Sequence, residues 1–297
     1  MKSVELIKGK LKNRALKTHR LFNELLQIYF LERFLYRLSI SKYNEVFTIK
    51  GGVLLYALFD KNYTRATTDI DLLGNKISND IVFIKNIIKE ICLIEADDPI
   101  IFEVDKLKIK KITEFKEYHG INISIPTYMD KIHVNVKIDI GFGDVIYPQK
   151  TIMEFPTLID DCSPLIYAYS KESVISEKLE SIISLGLLNS RMKDFYDLYV
   201  FSKTYDFNGK ILKEAIIETF NHRNTGLDEI LAFEDEFITT YRKRQWNSFL
   251  KKKCPTTKAD LKDVIEQIKI FLLPIIFSIR NHEEFNKNWE YMSNDWK

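Results

Sequence analysis

The segment TTDIDLLG, residues 67–74, decides how the fold of this chain is interpreted. Polar and apolar residues alternate through it, which predicts a β-strand. Because side chains two apart in a strand lie on one face, the carboxylates of Asp69 and Asp71 would project together, with Ile70 on the other face. Adjacent carboxylates repel each other, and a divalent cation offsets that repulsion. The pair predicts a metal site, although exposed edge strands often carry alternate acidic residues without one.

A third carboxylate lies on a later predicted strand, VNVKIDIGFGD, residues 134–144. Its apolar alternate residues form one face, and Lys137 and Asp139 form the other. Mg²⁺ is usually held by one or two carboxylates together with substrate phosphate oxygens. Asp69, Asp71 and Asp139 would therefore complete a site of the kind that supports in-line displacement at phosphorus.

A glycine pair precedes the acidic segment. The apolar run 46–49 ends at Lys50, Gly51 and Gly52 follow, and an apolar stretch over 53–59 predicts a helix. Glycines at a strand-to-helix turn let backbone N–H groups approach a phosphate at the helix N-terminus. A tight turn that simply requires glycine is the alternative.

The second half of the chain carries another charged cluster, in SEKLESIISLGLLNSRMKDFYDLYVFSK, residues 176–203. Apolar residues at helical spacing predict two helices. Lys178 falls on a polar face of the first helix, and Lys193, Asp194 and Asp197 fall on the second. Lys193 and Asp197 are four residues apart, so a simple surface ion pair is the alternative interpretation.

Two domains are expected from the order of these patterns. Helical and strand signals mix in the first half, whereas the sequence beyond Lys171 is almost wholly helical. We predict an α+β fold, with a mixed-sheet domain that includes N-terminal helices in residues 1–160 and an all-helical domain in residues 161–297.

Composition limits the class of protein. The 297 residues are 45% hydrophobic, enough for a sizeable core, and the net charge of +2 does not by itself indicate a nucleic-acid partner. The three cysteines form no metal-ligand or disulfide pattern. No apolar run is long enough to cross a membrane, and no signal peptide is apparent. We expect a soluble cytoplasmic protein with no membrane partner.

Several segments together resemble the AbiEii nucleotidyltransferase toxins, including the MenT group, of the DNA polymerase β-type nucleotidyltransferase superfamily. The segments are IKGGVLLY (49–56), RATTDIDL (65–72), KIDIGFGD (137–144), EKLES (177–181) and NSRMKDFYDLY (189–199). They follow the family's order, and the combination is specific although no single segment is.

The resemblance implies a polymerase β-like nucleotidyltransferase domain at the N-terminus. It places Gly51 and Gly52 at the turn beside the nucleotide and makes Asp69 and Asp71 the Mg²⁺ ligands. Asp139 matches the third acidic position, as a metal ligand or as a base. Many superfamily members have Gly-Ser at the turn, so in this chain only backbone donors would face the phosphate.

The resemblance also gives roles to the helical half. Lys178 would contact the triphosphate of the bound nucleotide. Lys193 and Asp194 would belong to the motif that closes the site.

The family resemblance implies a function as well. Its characterised members transfer an NMP from an NTP to the 3′ end of tRNA, which blocks aminoacylation and stops growth in toxin–antitoxin systems of the abortive-infection type. The expected genetic partner is an AbiEi-type antitoxin that forms no stable complex with the toxin.

Other functions remain open at this point. A hydroxyl of a protein or of a small molecule could be the acceptor, or the chain could be an inactive nucleotide- or RNA-binding member of the fold. The N-terminal segment has no convincing helix-turn-helix pattern, so the antitoxin role itself is not expected.

A tRNA partner would require basic surface, and the sequence offers two basic clusters. The N-terminal cluster comprises Lys2, Lys8, Lys10, Lys12, Arg14, Lys17 and Arg20, and the second comprises Arg242, Lys243, Arg244, Lys251, Lys252 and Lys253. Each could bind phosphates or form an ordinary solvated helix face. Trp246, Phe249 and Leu250, interleaved with the second cluster, are expected in the core.

Overall fold

The computed structural model describes residues 2–59, 67–113, 119–159, 162–254 and 256–297. The chain folds into two compact units, one within Met1–Asp144 and Lys150–Tyr169 and the other comprising Val145–Gln149 and Ser170–Lys297. None of the described helices combines the length and hydrophobicity that crossing a membrane needs. Arg65 and Ala66, which open one of the quoted segments, lie outside the described residues.

The first unit mixes helices and strands. In chain order they are α1 (Val4–Thr18), α2 (Phe22–Ser39), β1 (Phe47–Lys50), α3 (Gly51–Leu58), β2 (Asp69–Gly74), α4 (Ile81–Cys92), β3 (Ile101–Phe102), β4 (Lys108–Thr113), β5 (His119–Met129), β6 (Ile132–Phe142), β7 (Thr151–Glu154) and β8 (Leu165–Ala168).

The strands of this unit form a mixed sheet with the order β3-β5-β6-β2-β1-β8-β7, and β4 also pairs with β5. The predicted strand in TTDIDLLG is β2, which lies at the centre, antiparallel to β1 and parallel to β6. Ile70 and Leu72 of β2 are fully buried, as are Val136 and Ile138 of β6. The apolar face of these strands therefore packs in the core, and the acidic side chains lie on the opposite face.

The first unit extends beyond residue 160, where the domain boundary was expected. β8 pairs in parallel with β1, with Ile49 opposite Ala168, and so completes the sheet of the first unit. This pairing joins distant parts of the chain, which is why the local sequence pattern did not assign β8 to the first domain.

The second unit is mostly helical. Its elements are α5 (Lys171–Leu185), α6 (Met192–Ser202), β9 (Phe207–Asn208), α7 (Gly209–His222), α8 (Thr240–Lys253), α9 (Leu261–Arg280), β10 (Asn288–Glu290) and β11 (Asp295–Trp296). Ser170, Thr239 and Asp260 each cap a following helix by accepting a backbone N–H in its first turn.

The second unit is mainly helical, as predicted, but it is not all-helical, because β9, β10 and β11 add a small antiparallel sheet. Trp289 and Trp296 are paired across it and both pack on Phe271 of α9. Their indole N–H groups donate to the carbonyl oxygens of Ser202 and Phe271. Burying two indoles with satisfied N–H groups favours these very short strands, which no periodic pattern in the sequence predicts.

A buried ionic cluster fastens α2 to the segment that follows α4. Arg37 donates from both terminal nitrogens to the two carboxylate oxygens of Asp98 at 2.9 Å, and Arg33 Nε donates to the same carboxylate at 2.8 Å. All three side chains are at most 4% exposed. Burial raises the pKa of Asp98, but the hydrogen bonds and charges of Arg37 and Arg33 outweigh burial and hold the pKa below its usual range.

Asp98→Ala is expected to lower the free energy of unfolding by about 3–5 kcal/mol, because it leaves two guanidinium groups buried without their carboxylate. Urea denaturation followed by circular dichroism measures this loss. Glu95→Ala, an exposed neighbour of the same charge, should change stability by no more than about 0.5 kcal/mol. Equal effects of the two substitutions would contradict the role given to Asp98.

Candidate active site

Three carboxylates meet on the polar face of the first unit's sheet. Asp69 and Asp71 lie two residues apart on β2, and Asp139 of β6 is directly opposite Asp71 in the parallel register. One oxygen from each carboxylate lies within 4.8 Å of the others, and all three residues are half-buried. The structure thus brings together the three acidic residues that the sequence singled out, in an arrangement that could hold a metal ion.

The glycine pair lies directly against this carboxylate cluster. Gly51 begins α3 with a φ of +64°, in the left-handed region that favours glycine. A Cβ atom at this position would lie only 1.8 Å from Asp71 Oδ2. The backbone N–H of Gly52 donates to the same oxygen at 3.3 Å. The turn therefore accommodates and orients Asp71, a role that the sequence analysis did not assign to the glycines.

Asn122 of β5 extends the cluster on its other side. It is paired with Asp139 in the antiparallel register, and its side-chain amide donates to Asp139 Oδ1. This contact restricts the orientation of the Asp139 carboxylate. Asn122 is not among the site residues predicted from the sequence, although its place between the apolar residues Ile121 and Ile123 assigns it to the polar face.

A paired cation lies on the same sheet face. Lys50 of β1 is directly opposite Asp71 in the register, and its Nζ donates to Asp144 Oδ2 at 2.7 Å and to the hydroxyl of Tyr169 at 3.5 Å. A Cβ atom at Gly141 would lie 3.9 Å from Lys50 Nζ and 3.7 Å from Asp144 Oδ2, so this glycine borders the pair. The strand positions Lys50, Asp71, Asp139 and Asn122 thus form one row across four strands.

A second cluster lies in the second unit, between α5 and α6. Lys178 Nζ donates to Asp197 Oδ2 at 2.5 Å and to Asp194 Oδ1 at 3.1 Å, and Arg191 Nε lies 2.7 Å from Asp194 Oδ2. The two carboxylates are at most 1% exposed, and the Lys178 side chain is 11% exposed. The two buried carboxylates therefore hold the ammonium group of Lys178 in a fixed place.

Opposing effects act on Asp194. Burial raises its pKa, but the charges of Lys178, Arg191 and Lys193 together outweigh burial and keep the pKa below its ordinary value. Asp194 is thus ionised in the folded protein at neutral pH, because its cationic neighbours offset the cost of burying it.

The Lys193 side chain is exposed to solvent, and its charge acts on this cluster by helping to lower the pKa of Asp194. The alternative of a surface ion pair between Lys193 and Asp197 is wrong, because Asp197 is fully buried and pairs with Lys178. The i, i+3 spacing of Asp194 and Asp197 places both on the buried side of α6. The helical half therefore buries Lys178, Asp194 and Asp197 together, while Lys193 is exposed on the same helix as the two aspartates.

Comparison with known proteins identifies the family. The sequence model of the nucleotidyl transferase AbiEii toxin family, of type IV toxin–antitoxin systems, matches residues 33–267, well over half of the chain. The chain belongs to the AbiEii family. It is therefore a nucleotidyltransferase, and the resemblance drawn from the sequence segments is confirmed. A type IV toxin–antitoxin family implies an antitoxin partner and an NTP substrate.

Two crystal structures of Helicobacter pylori proteins are similar to the AbiEii-family chain. One is described as a candidate nucleotidyltransferase; it is 15% identical, with a TM-score of 0.49, and the match covers 89% of this chain and 99% of that one. The other, JHP933, is also 15% identical, with a TM-score of 0.44 and coverages of 88% and 98%. No curated protein sequence matches the chain. These distant likenesses carry no information about substrate.

If the three aspartates hold Mg²⁺, Gly51→Ala in this AbiEii-family protein should weaken binding of the ion at least about tenfold, about 1.4 kcal/mol. The added methyl group displaces the Asp71 carboxylate, and the left-handed backbone conformation costs an alanine roughly 1–2 kcal/mol more. Isothermal titration calorimetry with Mg²⁺ alone measures the change.

Gly9→Ala is the matched control, because a Cβ atom there meets nothing within 4 Å. It should leave Mg²⁺ affinity unchanged. Wild-type affinity in the Gly51→Ala protein would mean that Asp71 is not a ligand of the ion.

Asp194→Asn should destabilise the protein by about 3 kcal/mol at pH 7, because Lys178 and Arg191 lose a buried partner. The folded-state pKa of Asp194 lies below the unfolded value of about 3.9. Its stabilisation is therefore present above about pH 4 and is lost as the pH falls through the folded-state pKa.

Urea denaturation at pH 7 and at pH 3 tests this dependence. The difference between wild type and Asp194→Asn should shrink at pH 3, whereas the exposed control Asp235→Asn should differ little from wild type at either pH. A difference that grows as the pH falls would contradict the assigned ion pair.

Proposed function

We propose that this AbiEii-family protein uses Mg²⁺ to transfer an NMP from an NTP to the 3′ end of tRNA, and that this transfer is its toxic activity. The observation that supports the proposal best is the carboxylate cluster of Asp69, Asp71 and Asp139 on one face of the central sheet. Such a cluster is of little use to a scaffold, because mutually repelling carboxylates cost stability unless a cation offsets them.

The donor set fits a hard cation. All three candidate ligands are carboxylates, and Mg²⁺ binds carboxylate oxygens and phosphate oxygens in preference to softer ligands. Asp69 and Asp71 would hold the ion, while Asp139 would be either a further ligand or a base. When bound, Mg²⁺ would offset negative charge on the triphosphate and on the departing pyrophosphate.

In the proposed reaction, the hydroxyl oxygen of the acceptor attacks the α-phosphorus of the NTP. A new phosphodiester bond forms as the bond to the pyrophosphate oxygen breaks, and the proton of the hydroxyl passes to Asp139 if this residue acts as the base. The contact from Asn122 would keep the Asp139 carboxylate oriented during this transfer. The protein acts mainly by positioning the reactants and by stabilising charge.

The nucleotide would bind beside the turn at Gly51 and Gly52. The N-terminus of α3 carries the positive end of a helix dipole, which favours a phosphate there. Gly52 N–H already orients Asp71, so the turn would link the position of the metal ligand to that of the phosphates.

Lys178 would contact the triphosphate as a point charge. An ammonium group has three donors, and Asp194 and Asp197 would orient it for that contact. Asp194 would thus serve as the positioning residue of the closing motif. Lys193 is exposed, so it would act on the triphosphate through its charge without a fixed contact.

The family implies an antitoxin, and we propose an AbiEi-type genetic partner that acts without a stable complex.

The choice of tRNA as the acceptor does not follow from the carboxylate cluster. A protein or small-molecule hydroxyl would use the same carboxylates, so the acceptor must be identified by experiment.

Asp69→Asn and Asp71→Asn should each lower NMP transfer by at least about 1,000-fold, because each removes a charged metal ligand at little cost in volume. Each of the four α-labelled NTPs is incubated with the protein, Mg²⁺ and either total RNA or total protein. The label is then followed by electrophoresis, with the tRNA 3′ end as the expected acceptor.

Asp105→Asn is the control, since Asp105 is an exposed aspartate of the same unit. It should transfer label like the wild type. Wild-type labelling by Asp69→Asn would overturn the metal assignment, and label found only in protein would overturn the tRNA assignment. No labelling with any NTP would favour an inactive nucleotide-binding protein.

A further inference from the structure

Helix α8 is unusually basic. Its residues Thr240–Lys253 include no aspartate or glutamate, and its six cations are Arg242, Lys243, Arg244, Lys251, Lys252 and Lys253. Four of these cations are exposed, together with two small polar residues: Lys243, Arg244, Asn247, Ser248, Lys251 and Lys252. We call these six residues the α8 strip. They recur at steps of three and four, so they form one continuous stripe about 14 Å long.

The opposite side of α8 fixes the orientation of this strip. Trp246 is fully buried, and its indole N–H donates to the carbonyl oxygen of Ala259 at 2.8 Å. Leu250 is buried, and Phe249 packs at 5.8 Å from the ring of Tyr196 of α6. Trp246 and Leu250 thus belong to the core, as predicted, whereas Phe249 is half-buried, and the packing of all three holds the cationic side toward solvent.

The two basic clusters of the sequence differ in their ionic partners. In the N-terminal cluster, Lys8 lies 3.6 Å from Asp130, and Arg20 lies 2.6 Å from Glu24. By contrast, within the part of the chain that the structure describes, no cation of the α8 strip is within 4.0 Å of a carboxylate oxygen. The strip therefore keeps a concentrated positive charge, whereas the N-terminal cluster is partly neutralised.

A shallow cavity of about 410 Å³ adjoins one end of the strip. It is lined by Asn247 and Lys251 of the strip and by Leu250, Thr257, Lys258, Ala259 and Asp260. Lys258 adds a further cation there, while Asp260 accepts the backbone N–H of Lys262 as the cap of α9. A polyanion that follows the strip would find hydroxyl, amide and ammonium groups in this recess.

We propose that the α8 strip binds the sugar–phosphate backbone of the RNA acceptor. This proposal rests on the proposed function, because it names the surface that holds the macromolecule that the transferase modifies. Cations and small hydrogen-bonding side chains suffice to bind phosphates, and Lys, Arg, Ser and Asn are all common phosphate contacts. An acidic protein fits less well, because stable protein interfaces need several aromatic or aliphatic anchors, and Tyr241 is the one large exposed apolar side chain that α8 offers beside the strip.

The test compares two triple variants that lose the same charge. The strip variant carries Lys243→Gln, Lys251→Gln and Lys252→Gln, and the control variant carries Lys210→Gln, Lys262→Gln and Lys287→Gln, all exposed lysines of the same unit. Binding of fluorescein-labelled total tRNA, without NTP, is followed by fluorescence anisotropy over a series of salt concentrations. Far-UV circular dichroism verifies that both variants are folded.

The strip variant should bind tRNA at least about tenfold more weakly than wild type, and its plot of log affinity against log salt should be shallower by about 2–3. The control variant should stay within about twofold of wild type. Equal losses in the two variants, or an unchanged salt slope in the strip variant, would overturn the proposal. So would wild-type protein that binds no tRNA, or competition by polyglutamate as effective as that by RNA of the same charge.

The binding assay separates this proposal from the proposed function. Asp69→Asn, which should lose transfer, should bind tRNA like the wild type if the strip is a binding surface. If wild-type protein transfers no nucleotide to RNA but binds it in a strip-dependent way, the proposed function fails, and the strip stands as an RNA-binding surface but not as an acceptor site. If transfer to tRNA occurs with the same KM in the strip variant, the strip assignment fails and the proposed function stands.

Discussion

The close approach of Asp71 to the backbone of Gly51 is the constraint on which the rest of the site depends. Asp71 lies at the centre of the sheet, opposite Lys50 on one neighbouring strand and Asp139 on the other. Its carboxylate occupies the space that a side chain at residue 51 would need. The turn that starts α3 and the acidic strand must therefore be compatible with each other, and neither can change alone. This coupling joins a candidate phosphate site to a candidate metal site.

Charge balance explains the residues around this centre. Three carboxylates on one face repel one another, and a sheet that carries them is stabilised by any cation nearby. Lys50 supplies a fixed positive charge on that face, itself held by Asp144. In the second unit a cation lies at the centre instead, because two buried carboxylates surround the ammonium group of Lys178. In each cluster the charged groups are held in one arrangement by partners of opposite charge or by hydrogen bonds.

The carboxylate cluster could be predicted from the sequence because strand periodicity alone places Asp69 and Asp71 on one face. The residues around this cluster could not be predicted in the same way. Lys50 and Asp144 are far apart in the chain, and Asn122 reaches Asp139 only because β5 and β6 pair in one particular register. A surface ion pair of Asp197 with Lys193 stays open as an alternative at the level of sequence, because helical spacing does not say which polar residues a second helix will cover. The small sheet of Trp289 and Trp296 was missed because two-residue strands leave no periodic pattern.

We propose that Asp69 and Asp71 hold a divalent cation against the triphosphate of an NTP. A crystal structure of the protein with Mn²⁺ and a non-hydrolysable NTP analogue, with anomalous scattering recorded for manganese, tests it most directly. We expect an anomalous peak in coordination contact with both carboxylates and with phosphate oxygens of the analogue. An occupied nucleotide site with no manganese at Asp69 and Asp71, or with the ion held by other residues, would show that these aspartates are not the metal ligands.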